Sequence, residues 1–252
     1  MIHTIQADFY RLFRSKGFWI TEIVLFALML MGATIGATGH LMSVDTTPPE
    51  TELPSQGWDG IQALINASSQ GSNLVFLCIV LACLVLGVDL IGKLYKNNLT
   101  VGVSRTEFFL AKAFVLASIA FLQLILSLVI AFIPATILNG FGTMPDGFIG
   151  NLLVTIFLQF LCLLAWLSIV SFILYVSHSY LAVFIGYLVS SIILSMPMLI
   201  FPSIKILPYL SLQFFYAMTA NSESIFYTLI VTLAVIVIFN IGGLTVFKKK
   251  SL

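Results

Sequence analysis

The chain has 252 residues, of which 60% belong to the apolar set AVILMFWYC and only 8% are Asp, Glu, Lys or Arg, against roughly 25% charged in an ordinary soluble domain. Eleven cations and ten anions cannot cover a water-soluble body of this size, so the apolar residues face lipid. A formal net charge of +1 excludes a basic field for nucleic acid, and Cys78, Cys83 and Cys162 all lie inside apolar runs, which excludes a disulfide scaffold or a zinc site.

Residues 1–17 read as an amphipathic helix. On a helical wheel Ile2, Ile5, Phe9, Leu12 and Phe13 share an arc of about 100°, with Arg11 and Arg14 projecting from the other side, as in a helix that lies along the inner leaflet. A helix satisfies its own backbone hydrogen bonds and needs about twenty apolar residues to cross the hydrocarbon layer. Six stretches qualify: 18–41, 74–91, 111–137, 152–176, 181–201 and 225–247. The first is too long for a cleaved signal peptide and ends in Gly-rich sequence without a clear cleavage site, so it is read as retained. Its outer half, GATIGATG, puts Gly32 and Gly36 on a face suited to close packing against another span or a second copy. Glu22 in the first span and Asp89 in the second lie near the inner interface, with Lys16 and Lys93 as the expected partners. Between these spans, residues 42–72 form the longest outer loop, acidic and carrying Pro48-Pro49; it reads as solvated, with attraction of cationic substrates as the alternative.

The stretch 92–110 holds a large share of the polar residues predicted on the inner side. Ser104-Arg105-Thr106-Glu107 is a capping-box pattern, flanked by Val103 and Phe108 at hydrophobic-staple spacing, so a helix starts near Arg105 and runs into the third span. Before it, residues 93–100 are compact and polar, with Asn97 and Asn98 suited to a turn, and together they predict a short structured protrusion. Residues 87–94 match most of a phosphate-binding loop. However, Leu94 stands where a Ser or Thr must ligate magnesium, and no strand precedes the match. Farther on, Pro134, Pro197 and Pro202 are expected to kink or end their helices near the outer side. Residues 203–223 are too apolar and aromatic for a free loop; with Pro208, Tyr209, Phe214, Phe215 and Tyr216 they read as an interfacial or re-entrant element.

Cationic residues in short loops stay cytoplasmic. Arg11, Arg14, Lys16, Lys93, Lys96, Arg105, Lys112, Lys248, Lys249 and Lys250 fall on one predicted side, leaving Lys205 alone opposite. The sequence therefore predicts one all-α integral membrane domain over 1–252, with six transmembrane helices and both termini cytoplasmic.

In order, a charged residue ending the second span, a short basic segment, Gly102 with Ser104-Arg105, and an apolar run containing Lys112 resemble the type-2 ATP-binding-cassette exporter permeases. The amphipathic N-terminal helix, six spans and about 250 residues also resemble that family. The resemblance implies that the loop between spans two and three is a coupling helix seated in a separate ATPase. It places Leu94, Tyr95, Asn97, Asn98, Leu99, Arg105 and Glu107 at or near that contact. It further implies two ATPase copies that carry ATP and magnesium, a second permease copy or a similar subunit, and an outer element closing the translocation path. The cargo expected from such small permeases and from wholly apolar spans is an amphipathic or lipid-soluble molecule, such as an antimicrobial peptide, expelled across a bacterial plasma membrane. No cofactor, catalytic residue or metal site is expected on this chain itself.

Three other readings compete. An ion- or proton-coupled transporter would want midplane charges and an inverted repeat. An intramembrane enzyme would need a nucleophile with a base, or a metal cluster, at facing depths, and His3, His40 and His178 are scattered. A non-transport partner or sensor subunit of another membrane complex is also compatible with the composition.

Overall fold

The computed structural model describes residues 2–35, 57–69, 71–100, 102–201, 204–212 and 222–249, and among these every regular element is helical. Helix α1 (Ile2–Arg14) is followed after one residue by α2 (Lys16–Ile35). Next come α3 (Gly60–Ser69) and a rod of 21 residues, Gly71–Ile91. The rod is built from α4 (Gly71–Ala82), a π turn (Cys83–Gly87) and α5 (Val88–Ile91). A short α6 (Tyr95–Thr100) leads to α7 (Arg105–Asn139), α8 (Phe148–Ser177), α9 (Tyr180–Ile200), a 3-10 turn (Leu207–Ser211) and α10 (Ser222–Lys249). Five of these rods, Gly71–Ile91, Arg105–Asn139, Phe148–Ser177, Tyr180–Met198 and Ser224–Lys249, are long and apolar enough to cross a membrane. They match the second to sixth predicted stretches.

Local chemistry accounts for the boundaries. The capping box at the start of α7 is formed in full: Glu107 N–H donates to Ser104 Oγ at 3.2 Å, and Ser104 N–H donates to Glu107 Oε2 at 3.1 Å. From there α7 runs for 35 residues, about 52 Å at 1.5 Å per residue, straight through Pro134. Likewise α9 continues through Pro197 to Ile200, so neither proline ends its helix; Pro202 lies outside the described residues.

The predicted solvated loop 42–72 is corrected over its second half. Asp59 caps α3 by accepting from Gln62 N–H at 2.7 Å, and the helix buries Ile61, Ala63 and Ala67. Backbone bonds Gly60 N to Gly140 O (2.9 Å) and Ile61 N to Phe141 O (3.1 Å) stitch it to the end of α7. Apolar spacing within the helix drives this burial. The close fit at Gly142 adds to it: φ is +82°, and a Cβ there would lie 2.5 Å from the Asp59 carboxyl.

The rod Gly71–Ile91 and α8 form the buried centre, while α9 and α10 keep most of their apolar side chains outward. Helix α7 packs against α1, α2, α3 and the rod, and α10 lies along α8. One end of the bundle gathers α1, the α5–α7 connection, the tight α8–α9 turn at His178 and the end of α10. The opposite end gathers residues 57–60, the α7–α8 connection and the 3-10 turn, where Tyr209 stacks on Tyr227 of α10 at 5.7 Å.

Candidate functional site

The polar connection from Gly92 to Ser104 stands at the first end of the bundle. Helix α5 stops at Gly92; Lys93 takes a left-handed φ of 56°, and Gly102, with φ of +95°, turns the chain again into the α7 cap. Between these turns α6 is six residues long with none buried. It is nevertheless tied to two other segments through Tyr95. The Tyr95 ring lies 5.8 Å from Phe247, near the end of α10, and 6.3 Å from His178 in the α8–α9 turn. Phe247 also contacts Phe108 (5.6 Å) and Tyr175 (5.2 Å). The Arg105 guanidinium donates to the carbonyls of Phe247 (3.1 Å) and Lys248 (2.8 Å), where a cation suits the negative end of a helix. His178 Nδ1 lies 3.1 Å from the Leu90 carbonyl, which can only accept, so Nδ1 carries the proton in that contact.

Beneath this connection lies a charge cluster drawn from three elements. Lys112 Nζ, at the start of the third turn of α7, donates to both Asp8 oxygens at 2.7 Å and pairs with Asp89 Oδ2. Arg11 pairs with Asp89 at 2.5 Å and with Asp8 at 3.2 Å, and donates to the Val85 carbonyl inside the π turn at 3.0 Å. Two acids and two bases make the cluster formally neutral. Asp8, Asp89 and Lys112 are at most 4% exposed, whereas the Arg11 side chain keeps 38% of its surface. Burial pushes the Asp8 carboxyl above its ordinary value, and nearby Asp89 pushes the same way against Lys112 and Arg11.

This cluster overturns the expected pairings. Lys16 and Glu22 are six residues apart, which puts them on different helix faces. Glu22 instead accepts a hydrogen bond from Gln123 Nε2 on α7. Lys93 cannot reach back to Asp89, because the helix ends between them and Lys93 turns away. The wheel reading of α1 changes as well. Arg11 and Asp8 face the protein with Leu12 buried beside them, while Ile2, Tyr10 and Phe13 are exposed. A sequence signal existed: Asp8, Asp89 and Lys112 each interrupt an apolar segment, and Asp8 sits three residues before Arg11.

The residues expected at a coupling contact are brought together at this end, though with different roles. Leu94 (40% exposed) and Asn97 present side chains outward; Tyr95, Asn98 and Leu99 are half-buried. Arg105 and Glu107 are engaged inside the chain, in the α10 tie and the α7 cap. A cleft of about 440 Å³ opens between α6 and α1, lined by Leu94, Asn97, Asn98, Thr4, Asp8 and Arg11 among others. At the opposite end Pro208 and Tyr209 belong to the 3-10 turn, while Phe214, Phe215 and Tyr216 lie outside the described residues. Gly32 falls within α2, and Gly36 lies outside the described residues, so the small-residue face is not seen whole.

Between α7, α8 and α10, with Leu86 of the rod, lies a second, open cavity of about 190 Å³. Apolar walls there carry a few polar groups: Ser168, Ser171, Tyr175, Asn240 and the base of Lys112. Asn240 Nδ2 donates to Ser168 Oγ at 2.8 Å across the α8–α10 seam. Compared with known family models and with curated proteins, the sequence matches none.

Proposed function

We propose that this chain is the membrane-spanning subunit of an ATP-driven exporter of the type-2 ATP-binding-cassette kind. In this reading α2 supplies a sixth crossing, both termini face the cytoplasm, and the protein resides in a bacterial plasma membrane. Two copies of a separate ATPase bind ATP and magnesium, and a second copy or a similar permease completes the pathway for an amphipathic cargo such as an antimicrobial peptide.

The observation that carries the reading is the convergence on α6. A short helix exposed at one end of a membrane bundle touches the last helix and the α8–α9 turn through Tyr95, and Arg105, which follows it at the start of α7, ties to the same end of α10. Through the rod it meets the Asp8–Arg11–Asp89–Lys112 cluster that holds α1. A push on α6 is thereby shared among α1, α7, α8 and α10. Closure of an ATPase pair against α6 would bias the bundle between two arrangements, which is how a packed structure transmits work. The polar-studded cavity between α7, α8 and α10 lies next to the elements so moved.

Leu94→Glu tests this reading, because Leu94 is exposed and takes no part in the internal ties. The variant is expected to insert at the wild-type level, to lose at least about tenfold of its co-purifying ATPase in mild detergent, and to lose protection against the cargo. A wild-type chain that repeatedly purifies without any ATPase would overturn the proposal.

A further inference from the structure

Glu22 sets a puzzle apart from the coupling end. It is half-buried on α2 and faces a groove of about 470 Å³ between α2 and α7 that is otherwise apolar, walled by Phe13, Phe18, Trp19, Phe26 and Leu126 among others. Lipid-facing apolar grooves are ordinary in membrane proteins; a carboxylate opening into one is not. Among the described residues no cation comes within ion-pairing distance of Glu22. Lys16 is on another face of the helix, and Arg14 is bonded to Tyr10 Oη at 2.5 Å. The polar partner of Glu22 is Gln123, a fully buried side chain whose Nε2 donates to the carboxylate and whose Oε1 has no hydrogen-bond partner. What faces the groove is therefore the Glu22 carboxylate, an acceptor that Gln123 contacts from the protein interior.

Around this carboxylate the aromatic wall is built rather than incidental. Trp19 Nε1 donates to the Phe13 carbonyl at 3.0 Å, which fixes the indole. Phe18 meets Trp19 edge-on at 5.7 Å and Phe13 at 5.1 Å. A carboxylate and ring faces on an otherwise apolar wall together suit a group that carries donors and positive charge, attached to an apolar chain. An anion or a neutral acceptor would be repelled or left unpaired. A second copy docked over this face with apolar residues would bury the Glu22 carboxylate without a counter-charge, which is unfavourable.

We propose that the α2–α7 groove is a binding site for a lipophilic ammonium ion, a single alkyl chain bearing one amine, with Glu22 as its counter-ion and Trp19 beside the head group. This inference does not rest on the export reading, because binding is measured on the chain alone. The test uses the full chain in maltoside micelles and dodecylamine carrying a diazirine at the tail end. Photolysis is expected to label peptides from α2 and the middle of α7. Excess dodecylamine should abolish that labelling, while dodecyl sulfate and phosphatidylethanolamine should not. Glu22→Gln keeps the shape and the bond to Gln123, and should weaken labelling by at least about tenfold, as loss of a charge-assisted contact predicts, at an unchanged unfolding temperature. Equal competition by dodecyl sulfate would show a generic apolar groove, and equal competition by phosphatidylethanolamine a resident-lipid site. Either result, or undiminished labelling of Glu22→Gln, overturns the proposal; the competition profile on the wild-type chain decides even if the variant folds poorly.

Discussion

Lys112→Met removes the centre of the buried cluster while keeping most of the apolar stem. Lys112 is 1% exposed, contacts both Asp8 oxygens at 2.7 Å and pairs with Asp89. Its loss leaves two buried carboxylates facing one cation, Arg11, whose side chain is 38% exposed and so shares its charge with solvent. The cluster moves from neutral to one uncompensated negative charge. Removing one member of a buried ion pair costs about 3–5 kcal/mol, so Lys112→Met belongs at that level. Adding Asp89→Leu removes the orphaned carboxylate and leaves the Asp8–Arg11 pair on one helix, so part of the loss should return. The double variant is expected to be more stable than the sum of the single changes predicts by about 1–3 kcal/mol. Stability is read from SDS titration of the chain in maltoside micelles, followed by circular dichroism and tryptophan fluorescence. Additivity to within about 0.5 kcal/mol would refute the cluster as a coupled unit.

Three further outcomes follow from the same geometry. Arg105→Ala deletes the donors to the Phe247 and Lys248 carbonyls; it should cost about 1–2 kcal/mol and speed amide exchange in the last turn of α10, leaving α8 unchanged. The thiols of Cys78, Cys83 and Cys162 are all buried, so a membrane-impermeant maleimide should label the native chain negligibly and react with all three in SDS; fast labelling of native Cys162 would contradict the packing of α8. A reporter that fluoresces only in the cytoplasm, fused after residue 252, should be bright if the chain crosses an even number of times with its N-terminus inside, and a dark fusion on a well-expressed chain would reject that topology.

Much of the architecture is legible in the residues because membrane helices are dictated locally. Each span must close its own hydrogen bonds in lipid, so runs of apolar residues at 74–91, 111–137, 152–176, 181–201 and 225–247 announce their helices without reference to neighbours. The start of α7 is equally local, since Ser104 and Glu107 satisfy each other within one turn. Proline is the exception: Pro134 and Pro197 carry a local warning, yet their helices continue past them.

Which charge meets which is decided by tertiary structure alone. The partners of Lys112 lie 104 residues away in α1 and across the bundle in the rod, and the helix ending at Gly92 turns the nearer candidate, Lys93, aside. The nature of residues 57–69 also needed the fold, because their short apolar pattern becomes a buried helix only where the end of α7 supplies the carbonyls of Gly140 and Phe141. Composition determined that this chain lives in lipid and where its helices run. In a low-dielectric interior every remaining charge must find a partner; the assembled bundle pairs Asp8, Arg11, Asp89 and Lys112 with one another and leaves Glu22 with only an amide beside an open groove.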